Sequence, residues 1–137
     1  MMLLDVNVLI ALADADHTHH QRAQRFFETH RETGWATCPI TENGFLRILG
    51  GHNYPKGPGS PALAQELLNG LCSIPRHEFW PDMISLRSYS NLPSSKKLTD
   101  HYLLALTIHK SARLATLDTR IDPTPFAGGR EAYLVID

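Results

Sequence analysis

The stretch Met2-Leu3-Leu4-Asp5-Val6-Asn7-Val8-Leu9-Ile10 decides the architecture. A short apolar run leads into Asp5, and helix-compatible apolar residues follow it. That pattern reads as a buried strand ending in a carboxylate, then a turn into a helix running from Val6 to Leu12. In open parallel sheets, ligands gather outside the carboxyl ends of the strands. Asp5 therefore stands where chemistry is usually placed.

Beyond this stretch, His17-Thr18-His19-His20 starts a second helix with Ala23, Phe26 and Phe27 at helical spacing, ended by Gly34. Trp35-Ala36-Thr37-Cys38 reads as a strand closed by Pro39. Thr41 is placed to cap a helix whose core face uses Phe45, Leu46, Ile48 and Leu49. Gly50 to Pro61 is dense in Gly and Pro and reads as an irregular loop. It is not a domain linker, because neither side alone carries enough elements for a core. Ala62 to Leu71 returns to helical periodicity. Glu78-Phe79-Trp80 reads as a strand end, with Pro81 starting a helix through about Tyr89. Ser94-Ser95-Lys96-Lys97 is a polar, basic loop. Thr99-Asp100 opens the clearest helix, burying Leu103, Leu104, Leu106 and Ile108. Leu114-Ala115-Thr116-Leu117 is an apolar strand ending in Asp118, and Tyr133-Leu134-Val135-Ile136 is a last strand. Short strands alternating with helices predict an α/β fold: one domain over residues 1–137, with a mainly parallel central sheet flanked by helices on both faces.

Composition agrees with that reading. At 137 residues the chain can bury roughly two-thirds of its unfolded surface. Hydrophobic content of 42% and charged content of 20% argue against disorder. A formal net charge of -1 gives no overall basic field, although a local basic patch beside an acidic pocket would be invisible in that sum. Cys38 and Cys72 have no partnered spacing and read as reduced, packed thiols. With no leader-like or membrane-spanning apolar run, a cytoplasmic protein is expected.

Four acids share one kind of position. Asp5 and Asp118 each end an apolar strand. Glu42 and Asp100 lie in the first turns of helices that would begin at that same edge of the sheet. Singly, each has an ordinary explanation as a helix cap or a complement to the helix dipole. Jointly, they suggest a pocket in which carboxylates repel one another unless a cation neutralises them. Oxygen ligands suit Mg²⁺ or Mn²⁺, and such a site fits phosphodiester hydrolysis. Arg47, more than one turn beyond Glu42, is a candidate to pair with the acids or meet a phosphate. A plain surface arginine explains it equally well. Lys96 and Lys97 are candidate phosphate contacts, although a solvated loop is the safer reading of them. His17, His19 and His20 lack the partnered ligands of a transition-metal site, and His101 is expected on the surface or behind the site.

Leu3-Leu4-Asp5-Val6-Asn7, Thr41-Glu42-Asn43-Gly44-Phe45-Leu46-Arg47, Thr99-Asp100-His101-Tyr102-Leu103-Leu104-Ala105 and Ala115-Thr116-Leu117-Asp118 resemble the successive acidic motifs of PIN domains. Among these they are similar to the VapC-type toxins of bacterial type II toxin–antitoxin pairs. The resemblance covers nearly the whole chain, including His17-x-x-His20-x-x-Ala23 and Phe79-Trp80-Pro81. It implies a Mg²⁺-dependent endoribonuclease, with Mn²⁺ able to substitute, that cleaves cellular RNA. It also implies a homodimer neutralised by a cognate VapB-like antitoxin. Carried over by position, Asp5 and Asp100 are the principal metal ligands. Glu42 and Asp118 complete the pocket, and Asn7 and Thr116 orient the acids. One departure is Thr119-Arg120-Ile121, where the family often has an aromatic residue.

Two other readings use the same acids. In a haloacid-dehalogenase-like phosphotransferase Asp5 would be the nucleophile, but a second acid is needed where Asn7 stands. In a non-catalytic, receiver-like Mg²⁺-binding domain, Glu42 and the Thr99-Asp100 helix start would have no job.

Overall fold

The computed structural model describes residues 1–137. Five strands form one sheet: β1 (Met2–Leu4), β2 (Trp35–Thr37), β3 (His77–Phe79), β4 (Arg113–Thr116) and β5 (Tyr133–Val135). All neighbours are parallel, in the order β3-β2-β1-β4-β5. Six α-helices accompany them: α1 (Val6–Ala13), α2 (His20–His30), α3 (Pro39–Leu49), α4 (Pro61–Cys72), α5 (Leu98–His109) and α6 (Gly129–Ala132). The chain runs outward from β1 to β3, then returns to lay β4 on the other side of β1. That reversal puts a switch point between β1 and β4, where such sheets open a crevice.

Alternation along the central strand divides the core. Met2 and Leu4 pack with Val8, Leu9, Phe27, Phe45, Leu49 and Leu68 from α1 to α4. Leu3 points the other way, onto Leu103, Leu104, Leu106 and Trp80. Register is fixed by Leu3 opposite Leu114 and Leu4 opposite Ala115, because a one-residue slip would exchange the two faces. In α5, Leu103, Leu104, Ala105 and Leu106 are all buried in succession, together with His101 and Thr107. This helix is enclosed on most sides, beyond the single buried stripe expected from the sequence, and Ile108 is only partly buried. Truncating Leu104 to Ala would cost roughly 2–5 kcal/mol.

Several local expectations change. No α-helix follows Pro81; Pro81 to Ser85 is irregular and largely exposed, and only a 3₁₀ turn at Leu86–Ser88 appears. A proline favours a first helical position, but the residues after it supply no continuous apolar face to hold a helix. Pro39 opens α3 rather than closing β2: Cys38 is the N-cap, and Thr41 Oγ1 accepts from the Cys38 amide at 2.9 Å. Thr41 thus supplies the return half of a capping box from inside the helix. The second helix begins at His20, after a turn. Ser95–Lys97 forms a 3₁₀ turn leading directly into α5.

Two close approaches hold the helical layer. A Cβ on Gly44 of α3 would sit 2.7 Å from Val6 Cγ2, so α1 and α3 touch where a side chain does not fit. The Gly50–Ser60 loop is tied down by Tyr54, whose hydroxyl donates to Asp14 Oδ2 at the end of α1. No helix is long and apolar enough to cross a membrane.

Candidate active site

Asp5 leaves β1 with its amide still in the sheet, donating to Ala115 O at 3.0 Å. Its side chain does two jobs. Oδ1 accepts from the Val6 amide at 2.7 Å, the capping role expected of any acid at a helix start. Oδ2 accepts from Thr116 Oγ1 at 2.7 Å. The Thr116 hydroxyl in turn accepts from Asn7 Nδ2 at 3.2 Å and from the Asp118 amide at 3.0 Å. Asn7 Oδ1 accepts from the Leu117 amide at 3.1 Å. Asn7 and Thr116 therefore lock the end of β1 to the end of β4, with the Thr116 hydroxyl accepting two bonds and its single proton aimed at Asp5.

Three of the four acids come together. Burial pushes the Asp5 carboxyl up to about 6; the negative charges of Asp100 and Asp118 push the same way, against the Thr116 and Val6 hydrogen bonds. Asp100, in the first turn of α5, is raised by burial first and by Asp118 second, while Arg120 and Lys97 oppose the shift. Asp118 is braced from β5: Tyr133 Oη donates to its carbonyl at 2.6 Å. Its own Oδ1 accepts from Arg120 N at 2.9 Å and Arg120 Nε at 3.1 Å.

Glu42 is held elsewhere. Its Oε2 accepts from Thr37 Oγ1 at 2.7 Å, and its carboxylate groups with Cys72 and His77. Arg47 is exposed and forms no ion pair with an acid. Position along a helix brings Glu42 to the right edge of the sheet, but its rotamer answers to the Thr37 hydroxyl.

A cavity of about 400 Å³ opens beside Asp100 and Asp118, lined also by Lys96, Lys97, Arg120 and His101. Arg120 was not singled out from the sequence; its signal was a cation two residues beyond a strand-ending acid. Of the two positions expected of His101, on the surface or behind the site, the structure has the second. It is buried, its ring lies 4.5 Å from Phe126, and its Nε2 has no hydrogen-bond partner. Burial holds its imidazole below the ordinary value, favouring the neutral ring. Acids and cations lining the same cavity suit a phosphate backbone held beside a divalent cation.

The residues fit a hard divalent cation on their own chemistry. Carboxylates buried within reach of one another's charge resist ionising together, and a cation removes that conflict. Their all-oxygen donor set matches Mg²⁺ or Mn²⁺ rather than a thiophilic metal.

Comparison with known proteins points the same way. The PIN domain family model matches residues 2–127. Ribonuclease VapC44 of Mycobacterium tuberculosis is 42% identical over 137 residues, covering 96% of each chain. Ribonuclease VapC39 of the same organism is 39% identical over 131 residues, 92% of this chain and 94% of that one. The crystal structure of M. tuberculosis VapC20, a sarcin–ricin loop cleaving toxin, superposes with a TM-score of 0.61. It covers 93% of this chain and 91% of that one, and at 12% identity the likeness is one of fold.

Proposed function

Because this chain belongs to the PIN-domain family and to its VapC-type branch, we propose that it is a Mg²⁺-dependent endoribonuclease acting as the toxin of a toxin–antitoxin pair. The observation that carries the reading is the meeting of Asp5, Asp100 and Asp118 at the switch point of the sheet, at a cavity that Lys96, Lys97 and Arg120 also line.

Asp5, Asp100 and Asp118 would hold the metal. Bound Mg²⁺, for which Mn²⁺ can substitute, would supply a polarised phosphodiester and a water activated at neutral pH. The chain's own groups do the rest. Thr116 and Asn7 fix the orientation of the Asp5 carboxylate. Lys96, Lys97 and Arg120 bind and align RNA phosphates at the cavity. Glu42 would complete the acidic set only by leaving Thr37, and Arg47 would reach substrate only from its exposed position on α3. Residues 1–137 act as one catalytic unit, working as a homodimer. A VapB-like antitoxin would neutralise the toxin by covering the pocket with a segment that competes for its cations and its metal.

The test is cleavage of total cellular RNA by purified protein with Mg²⁺, with EDTA, and with Asp5→Asn or Asp100→Asn. Cleavage that needs metal and both acids is expected, together with growth arrest relieved by either substitution. Undiminished cleavage by Asp5→Asn would overturn the assignment. Metal binding without cleavage of structured or single-stranded RNA would favour a receiver-like regulatory domain.

A further inference from the structure

We propose that Cys72, His77 and Glu42 form a second cation site, built for Zn²⁺ rather than Mg²⁺, between the β2–β3 edge of the sheet and helices α3 and α4. The three residues come from different elements: Glu42 from the first turns of α3, Cys72 from the last residue of α4, His77 from the first residue of β3. Their ligand atoms all lie within 4.8 Å of one another, and each residue is partly buried. Tetrahedral zinc with bonds of about 2.0–2.3 Å sets its donors roughly 3.3–3.8 Å apart. Side-chain adjustment of about 1 Å from the observed spacing therefore closes the site.

The surroundings direct these donors inward. The Trp35 ring lies 4.7 Å from that of His77, and Trp35 Nε1 donates to Pro75 O at 3.3 Å, fixing the turn between Cys72 and His77. His77 Nε2 lies 2.8 Å from Thr37 Oγ1, whose one proton goes to Glu42 Oε2 at 2.7 Å. The imidazole must therefore donate from Nε2 in this arrangement. Metal binding would shift that proton to Nδ1 and turn the Nε2 lone pair toward the ion. Thr37 sits among the donors, placed to orient the Glu42 carboxylate or to give way to a fourth ligand.

Charge balance favours a dication. A thiolate and a carboxylate with a neutral imidazole neutralise Zn²⁺, and binding releases the thiol proton. This donor set of sulfur, nitrogen and oxygen is borderline-soft, whereas that of Asp5, Asp100 and Asp118 is all oxygen. One chain thus carries two sites that sort metals by ligand type. On the nuclease reading above, zinc would also hold Glu42 away from the acidic pocket and slow cleavage. That consequence alone rests on the reading; the site itself does not.

Co²⁺ titration of the metal-free full chain tests the site without any activity assay. One equivalent should produce a thiolate-to-cobalt charge-transfer band and tetrahedral visible bands, both displaced by Zn²⁺ and not by Mg²⁺. Cys72→Ser should abolish the charge-transfer band, and His77→Gln should weaken Co²⁺ binding by about tenfold or more. The double variant Asp5→Asn, Asp100→Asn should keep the spectrum. Absence of the charge-transfer band in the wild-type protein overturns the proposal, whatever the fold of the variants. So does its survival in Cys72→Ser, or its loss in the Asp5, Asp100 variant. Where RNA is cleaved, stoichiometric Zn²⁺ should inhibit the wild-type protein and spare Cys72→Ser; equal inhibition of both would sever the link to Glu42.

Discussion

Thr116 Oγ1 donates to Asp5 Oδ2 at 2.7 Å, across a sequence separation of 111 residues. The same hydroxyl accepts from Asn7 and from the Asp118 amide, so one atom aligns groups on both sides of the crevice. Thr116→Val keeps the side chain's shape and removes all three bonds. Metal-supported cleavage should fall by roughly 10–100-fold, the usual effect of losing a group that orients a ligand. A Mg²⁺ titration of the cleavage rate at fixed RNA would check it, with Thr116→Ser restoring most of the activity.

The raised Asp5 carboxyl sets a pH dependence for the metal-free protein. Folding lifts it from the usual 3.8 to about 6, so the folded state binds this proton more tightly than the unfolded chain. The penalty is absent below the lower value and grows as pH rises through the higher one, reaching about 3 kcal/mol at neutral pH. In EDTA, stability should therefore fall as pH rises across that window. Asp5→Asn should flatten the profile and raise neutral-pH stability, and saturating Mg²⁺ should do the same for the wild type. Urea unfolding on either side of the Asp5 pKa gives the answer.

Lys96 and Lys97 line the cavity without contributing a ligand. If each meets one phosphate of single-stranded RNA, replacing both with Ala should reduce the slope of log K against log salt by about 1.4. The KM for RNA should rise while kcat at saturation changes little. An unchanged salt slope would remove these lysines from the RNA path.

Gly44 offers a test of packing. Ala is about 1 kcal/mol better than Gly inside a helix, yet its Cβ would lie 2.7 Å from Val6 Cγ2. Gly44→Ala should destabilise the wild type, since overpacking typically costs about 1–3 kcal/mol. In a Val6→Ala background the same change should become stabilising. Denaturant midpoints of the four proteins in that cycle measure the coupling.

Tyr54→Phe removes the hydroxyl that donates to the Asp14 carboxylate. A hydrogen bond to a charged acceptor is worth about 1.5–3 kcal/mol when both partners are ordered, and partial exposure here places the loss near the lower end. Thermal unfolding should show it, and amide exchange should quicken across Gly50–Ser60 before the sheet is affected.

The sheet and three of the acids were legible because strand ends and helix starts leave marks in sequence. Asp5 and Asp118 end apolar runs, Asp100 opens an apolar helix, and parallel topology does the rest. Glu42 was legible as a backbone position only. Its side-chain direction depends on Thr37, Cys72 and His77, residues that no spacing rule connects to it. The sequence leaves His101 open between the surface and a place behind the site, because what decides it is Phe126, which arrives late in the chain and covers the ring. Pro81 gave a sound helix-start signal that lacked a face to bury, so the signal had nothing to act on.

The order of the strands also governs when the pocket comes into being. Asp5 directly follows the first strand made, while Thr116 ends the fourth and Asp118 lies two residues past it, and β4 must pair with β1 before those groups meet. Synthesis runs from the N-terminus, so a growing chain holds Asp5 long before it holds the partners that orient it. A ribosome translating this message therefore finishes most of the protein before the acidic centre exists. For a protein whose proposed target is RNA, that timing separates manufacture from action.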